Sequence, residues 1–335
     1  MMVKNITYIK IILFTALSAF ITFIVLGSSY VYYRLAHQDV SNESRLAYVQ
    51  LLPKNVRESA IILFAGKVNK IKHNDKTLVC VFGDSEPYGY LIKTKYVFHK
   101  IIADYNSNLE GYNFSVIDGH LNDTLNVMKI VEASKLMCDF VVFNLTPHHL
   151  NTKLINQNHV VLNKNNIVSE RNMFMNLLTT NEFSFFSHWY DLFKMDLFTT
   201  QEPAPVGFQM RADKEYFANL DEKMAFVNLD AVITQAKKIG HHVIAYATPS
   251  YYADYNKSPY NFGWDTTSAQ TNLVNYCNHH TGITCVNWSN SLDKAMFFDL
   301  LHLNKDGHRN LAKLVADKIN EIQANTETHY GEHLG

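Results

Sequence analysis

Five short apolar runs constrain this chain more than any other feature: TLVCVFG at 77–83, NFSVID at 113–118, CDFVVFNL at 138–145, HVIAYAT at 242–248 and ITCVNW at 283–288. Stretches of helical spacing separate them. A strand apolar on both faces needs cover on both faces, and a helix between successive strands supplies it while leaving the strands parallel. The predicted fold is therefore α/β, a doubly wound parallel sheet of about five strands with helices on both faces. The helical stretches are YLIKTKYVFHKIIADY, DTLNVMKIVEASKL starting at an Asp123-Thr124 cap, LDEKMAFVNLDAVITQAKKIG ending at Gly240, AQTNLVNYCNHH, and a last helix from about Lys305. That last helix carries Leu311, Leu314, Val315, Ile319 and Ile322 on one stripe.

Ahead of the sheet, Ile11 to Tyr33 is a run of 23 residues without a charge. That length crosses a bilayer core as a helix, and the closing tyrosines suit an interface. A cleaved leader would have a shorter apolar core, and a buried helix is seldom apolar on every face. Lys4 and Lys10 precede the run, whereas Asp39 and Glu43 soon follow Arg34, which places the N-terminus in the cytoplasm and the body outside. The expected organisation is a tail and anchor at 1–35, a linker and helical lead-in at 36–76, the α/β body at 77–325 and a polar tail at 326–335. Residues 150–215 interrupt the rhythm with FSFFSHWYDLFKMDLF and the proline-marked TTQEPAPVGFQM. They read as an insertion at the strand ends, whose aromatic stripe is either core or substrate contact.

Composition narrows the classes of function. A formal net charge of −1 without a basic block argues against nucleic acid as a partner. Of 16 histidines, the pairs 148–149, 241–242 and 279–280 lack metal-site spacing, and no metal or cofactor is expected from them. The four cysteines are compatible with export. Cys277 and Cys285 flank a short loop that a disulfide could close, while Cys80 and Cys138 lie in predicted buried strands. For both pairs, free buried thiols are the competing reading.

The first strand runs directly into Gly83-Asp84-Ser85. Asp or Ser there is an ordinary helix cap. A serine at a strand-to-helix turn is also an exposed nucleophile whose own N–H lies at the positive end of a helix. Such a nucleophile needs a base and a carboxylate to orient it. Asp299 and His302 stand three residues apart in FFDLLHLNKDGH, just before the last helix and at the same sheet edge.

FGDSEPYG followed far downstream by DLLHLNKDGH resembles the SGNH/GDSL hydrolase superfamily, over about 77–325. The resemblance implies a flavodoxin-like sheet with Ser85 as nucleophile, His302 as general base and Asp299 as its orienting acid. Leu303 and Gly307 fit the same last block. In the second block Asn122 stands where the family has a glycine that helps bind the oxyanion, and in the third block His148 takes an asparagine position. Asn122 through its backbone N–H and His148 through its ring are thus the candidate oxyanion donors, with Asn144 in competition. The membrane topology resembles that of envelope-modifying members of the superfamily, including the D-alanyl transfer proteins of teichoic-acid synthesis, and Glu86 after the serine is similar to their Ser-Glu. The expected activity is that of a serine esterase or O-acyltransferase. Its partners would be an acyl donor, a glycan or lipid acceptor and a multi-span membrane-bound O-acyltransferase. A catalytically idle scaffold subunit of such a complex is the alternative.

Overall fold

The computed structural model describes residues 14–22, 25–26, 68, 71, 74–89, 92, 94–116, 119–151, 222–250, 266–299 and 301–332. The body is a sheet of five parallel strands: β1 (Thr77–Phe82), β2 (Leu109–Asn113), β3 (Cys138–Leu145), β4 (Gly240–Ala247) and β5 (Thr284–Asn287). The spatial order is β2-β1-β3-β4-β5, the flavodoxin-like arrangement with its reversal of direction between β1 and β3. Ligands in such sheets gather at that reversal, beyond the carboxyl ends of the strands.

The helices are α1 (Ser85–Tyr88), α2 (Phe98–Ile101), α3 (Leu121–Ala133), α4 (Glu222–Ile239), α5 (Thr266–Cys277) and α6 (Lys305–Glu332). Strand alternation sorts them into two layers. Leu78, Cys80 and Phe82 of β1 face a core shared with α3, α4 and α5. Val79 and Val81 face the opposite core, filled by Phe98 and by Leu311, Val315 and Ile319 of α6. Each fully buried Leu, Val or Phe contributes about 1.5–3 kcal/mol, so both faces bind their helices strongly.

Two disulfides brace the sheet. Cys80–Cys138 links β1 to β3, and Cys277–Cys285 ties the end of α5 to β5, each with Cα atoms 6.0 Å apart. Neither pair is left as free thiols.

Several boundaries differ from the sequence reading. β2 is LEGYN rather than NFSVID. Its Gly111 is pressed against helix α2, where a Cβ would lie 2.1 Å from the His99 carbonyl oxygen. A strand built on that close approach lacks the usual β-branched signature. Phe114 still bonds to β1 through Val81 O at 2.7 Å, and Val116 to the residue after it, Gly83 O, at 2.8 Å, as the chain leaves the ladder. The helix expected over 90–105 is broken into a 3-10 turn at Thr94–Tyr96, α2, and a second 3-10 turn at Ile102–Asp104. Val97 is extended between them and packs where a Cβ on left-handed Gly89 would sit. α3 begins two residues before the expected cap: His120 is the N-cap, and Asp123 is the third helical residue accepting from the His120 N–H at 3.2 Å. α6 continues through the supposed polar tail to Glu332.

Residues 14–22 and 25–26 are helical, with Phe14, Leu17, Phe20, Ile21, Val25 and Leu26 exposed. Among the described residues no helix is long and apolar enough to cross a membrane. The rest of the 11–33 run lies outside the described residues, as do the linker at 36–76 for the most part and nearly all of the 150–215 insertion.

Candidate active site

The Gly83-Asp84-Ser85 turn forms because the chain must reverse at the end of β1. Gly83 has a φ of 139°, and a Cβ there would lie 2.0 Å from Asn144 Oδ1. Only glycine meets both conditions. Asp84 then caps α1, its Oδ1 accepting from the Glu86 N–H at 2.9 Å. Ser85 is the first residue of that helix, so the helix itself does not use its N–H.

From the far end of the chain, a tight loop delivers the other two groups. Phe297 and Leu303 form an antiparallel bridge, the Phe298 N–H donates to the His302 carbonyl at 3.1 Å, and Asn304 caps α6 through the Asp306 and Gly307 N–H groups at 3.0 Å. Gly307 allows this closure, since a Cβ would sit 2.3 Å from the Met296 carbonyl oxygen. The loop holds Asp299 and His302 at one edge of the sheet. His302 Nε2 lies 2.9 Å from Ser85 Oγ across 217 positions of sequence. His302 Nδ1 lies 2.7 Å from Asp299 Oδ2. The other carboxylate oxygen, Oδ1, accepts from the backbone N–H groups of Leu301 and His302 at 2.8 and 2.7 Å.

This geometry dictates the proton positions. Asp299 accepts at both oxygens, so His302 carries its proton on Nδ1 and presents a bare Nε2 to the serine hydroxyl. Burial pushes the Asp299 carboxyl up, but the hydrogen bond and charge of His302, with the two backbone N–H groups, outweigh it and hold the pKa below the ordinary carboxylate range. The Phe298 ring stacks on the imidazole at 5.5 Å and restricts its rotation.

The remaining residues singled out from sequence fall around Asp84. Asn144 donates from Nδ2 to Asp84 Oδ1 at 2.8 Å and to Thr248 Oγ1 at 3.0 Å, so both amide hydrogens are engaged and none is left for an oxyanion. His148 lies with Nε2 3.2 Å from Asp84 Oδ2 and Nδ1 2.9 Å from Thr146 Oγ1. Asn122 is the second residue of α3. The loop leading to it reaches the serine turn through the Val116 N–H to Gly83 carbonyl bond at 2.8 Å.

Glu86 is buried beside the serine, accepting from the Tyr246 hydroxyl at 3.0 Å. Burial, and next the Asp84 carboxylate, push its pKa well above the ordinary value, against the Tyr246 hydrogen bond. Thr248 and Tyr246 were not legible as site residues, because each becomes one only through β4 lying beside β3 and β3 beside β1.

No protein-family model matches the chain, and no curated protein does. Among solved structures it is similar to a member of the lipolytic G-D-S-L family from Veillonella parvula, at 12% identity over 72% of this chain and 97% of that one, with a TM-score of 0.41. It is also similar to a family two carbohydrate esterase from Clostridium thermocellum, in complex with cellohexaose, at 14% identity over 76% of this chain and 66% of that one, with a TM-score of 0.40. A third such structure is a family two carbohydrate esterase from Myceliophthora fergusii, at 11% identity, 76% and 68% coverage and a TM-score of 0.44.

Proposed function

We propose that the protein is a membrane-anchored serine esterase or O-acyltransferase that cleaves or moves an ester-linked acyl group on an extracytoplasmic glycan or lipid. One observation carries the reading: Ser85, His302 and Asp299 form a continuous hydrogen-bonded chain of 2.9 and 2.7 Å although two distant segments supply them. Core packing does not require three polar side chains to meet in this way.

In the proposed reaction Ser85 Oγ attacks the ester carbonyl while His302 Nε2 takes its proton, and Asp299 stabilises the imidazolium that results. The N–H groups of Ser85 and Asn122 face the oxyanion. His302 returns the proton to the departing alkoxide, leaving an acyl-Ser85 ester. A second nucleophile, deprotonated by His302, attacks that ester. Water gives a free acid; a sugar hydroxyl gives a new ester. The exposed apolar side chains at residues 14–22 and 25–26 support anchoring, since six large hydrophobic groups exposed so close together are costly in water. An anchor there would set the site beside a membrane-bound acyl donor and its multi-span acyltransferase.

A fluorophosphonate probe tests the chemistry. The full chain should gain one adduct, mapped by peptide mass spectrometry to Ser85, and should turn over short p-nitrophenyl acyl esters. The absence of an adduct in folded, disulfide-intact protein would favour an idle scaffold and end the enzyme reading. Membrane placement is read separately: protease added to spheroplasts should digest the body from about residue 36 onward, and protection of the body would refute the assigned orientation.

A further inference from the structure

Asp84 has a second set of neighbours that catalysis does not require. His148 Nε2 lies 3.2 Å from Asp84 Oδ2, and His149 Nε2 lies 3.6 Å from the same oxygen. Thr146 Oγ1 completes the group, 3.1 Å from Asp84 Oδ2 and 3.3 Å from His148 Nε2. All four residues are buried. The histidine pair lacks metal-site spacing in sequence, yet the 3-10 turn Pro147–Leu150 at the end of β3 turns both rings toward Asp84 at the end of β1.

Hydrogen-bond counting shows one gap in the cluster. Thr146 Oγ1 sits 2.9 Å from His148 Nδ1 and 3.3 Å from His148 Nε2, beside the ring edge between the two nitrogens. His149 Nε2 is buried with no hydrogen-bond partner, its distance to Asp84 being too long for one. Two ring nitrogens and a carboxylate oxygen lie within 4.8 Å of one another, and the ring nitrogen of His149 is left without a hydrogen-bond partner.

We infer that Asp84, His148 and His149 form a site for a divalent transition-metal ion of the zinc type. Ligand bonds of about 2.0–2.1 Å at the tetrahedral angle place ligand atoms about 3.3–3.4 Å apart, and the two distances to Asp84 bracket that value. Two imidazoles and one carboxylate are a zinc ligand set, with a fourth position for Thr146 or water. Ligation by His149 places its proton on Nδ1, which displaces a contact with the Thr146 N–H that is already long at 3.4 Å. The ion would rivet the serine turn to the end of β3 and neutralise a buried carboxylate next to the nucleophile. The site stands whether or not Ser85 acts as a nucleophile.

The test uses full-length protein without a histidine tag, dialysed against chelator and then against zinc. Elemental analysis should find one zinc per chain retained after washing, absent from a His149→Gln variant and still present in a His279→Gln control. Retention unchanged in His149→Gln, or no retained zinc in the wild type, overturns the assignment. Should His149→Gln not fold, zinc X-ray absorption on the wild type decides. A first shell of nitrogen and oxygen with two imidazole scattering patterns supports the site, and sulfur ligands or a fully aqueous shell refute it. Fluorophosphonate labelling of the same samples reports the serine chemistry independently.

Discussion

Replacing Asp299 by Asn should nearly abolish turnover while leaving the fold intact, and the structure says why. The two backbone N–H groups of Leu301 and His302 point at Oδ1 from 2.8 and 2.7 Å. They donate only to an oxygen in that place, so an asparagine must turn its NH2 toward His302 Nδ1. The imidazole then has to accept at Nδ1 and carry its proton on Nε2, where it faces Ser85 as a donor. A base in that tautomer cannot take the serine proton. The equivalent loss in a serine-protease triad is about 10⁴-fold, so a fall of roughly 10³–10⁴-fold in kcat, or about 4–5.5 kcal/mol in the barrier, is expected. The assay is hydrolysis of a p-nitrophenyl acyl ester, with the rate of fluorophosphonate labelling as a readout of the first step alone. Stability supplies an internal check. The Asp299 pKa is depressed in the folded state, so its contribution is present above the unfolded carboxylate pKa of about 3.9 and is lost as pH falls through the lower folded value. Wild type and variant should therefore differ most in stability near neutrality and converge in acid. An Asp299→Asn protein retaining a tenth or more of the wild-type rate would refute the tautomer argument.

Three further outcomes are expected. Ser85→Ala should lose labelling and turnover but cost under about 1 kcal/mol in urea unfolding, because Asp84 rather than Ser85 caps α1. Gly83→Ala should destabilise by about 2–4 kcal/mol, combining a disfavoured φ with a clash against Asn144, and a variant as stable as wild type by thermal unfolding would contradict the turn geometry. Removing Cys80–Cys138, which spans 58 positions, should cost about 4 kcal/mol on the chain-entropy model, against about 2.5 kcal/mol for Cys277–Cys285, which spans 8. Paired Cys→Ala variants compared by denaturant unfolding check the order, and equal losses would discount the entropic account.

What could be read from sequence depended on whether a feature was local. CDFVVFNL coincides with β3 residue for residue, because a continuous β-branched and aromatic run buried on both faces has no other use. LEGYN was missed, because its place in the sheet comes from Gly111 fitting against His99, a contact between separate elements. The Asp299–His302 pair was legible since one loop carries both groups. Its approach to Ser85 followed from topology, both segments lying at the carboxyl edge of a parallel sheet. The cluster of Asp84 with His148 and His149 had no such signal. Sixty-four positions separate Asp84 from His148 in the chain, and only the β1–β3 pairing brings the ends of those strands together.

The two readings of Gly-Asp-Ser are compatible in geometry. A cap must aim its oxygen back along the helix axis at backbone N–H groups, and Asp84 does so while buried. A nucleophile must aim outward at its base, and Ser85 does so while still partly exposed. One residue cannot point both ways. By giving the cap to Asp84, the turn frees the Ser85 hydroxyl for His302 and leaves the Ser85 N–H uncommitted at the helix N-terminus. The carboxylate that makes this division is anchored in turn by Asn144 and Thr146 from β3 and the residue after it. The position of the serine is thus set by the packing of the sheet rather than by the turn alone. A substitution at Asn144, remote in sequence from Ser85, should accordingly disturb labelling of the serine as well as stability.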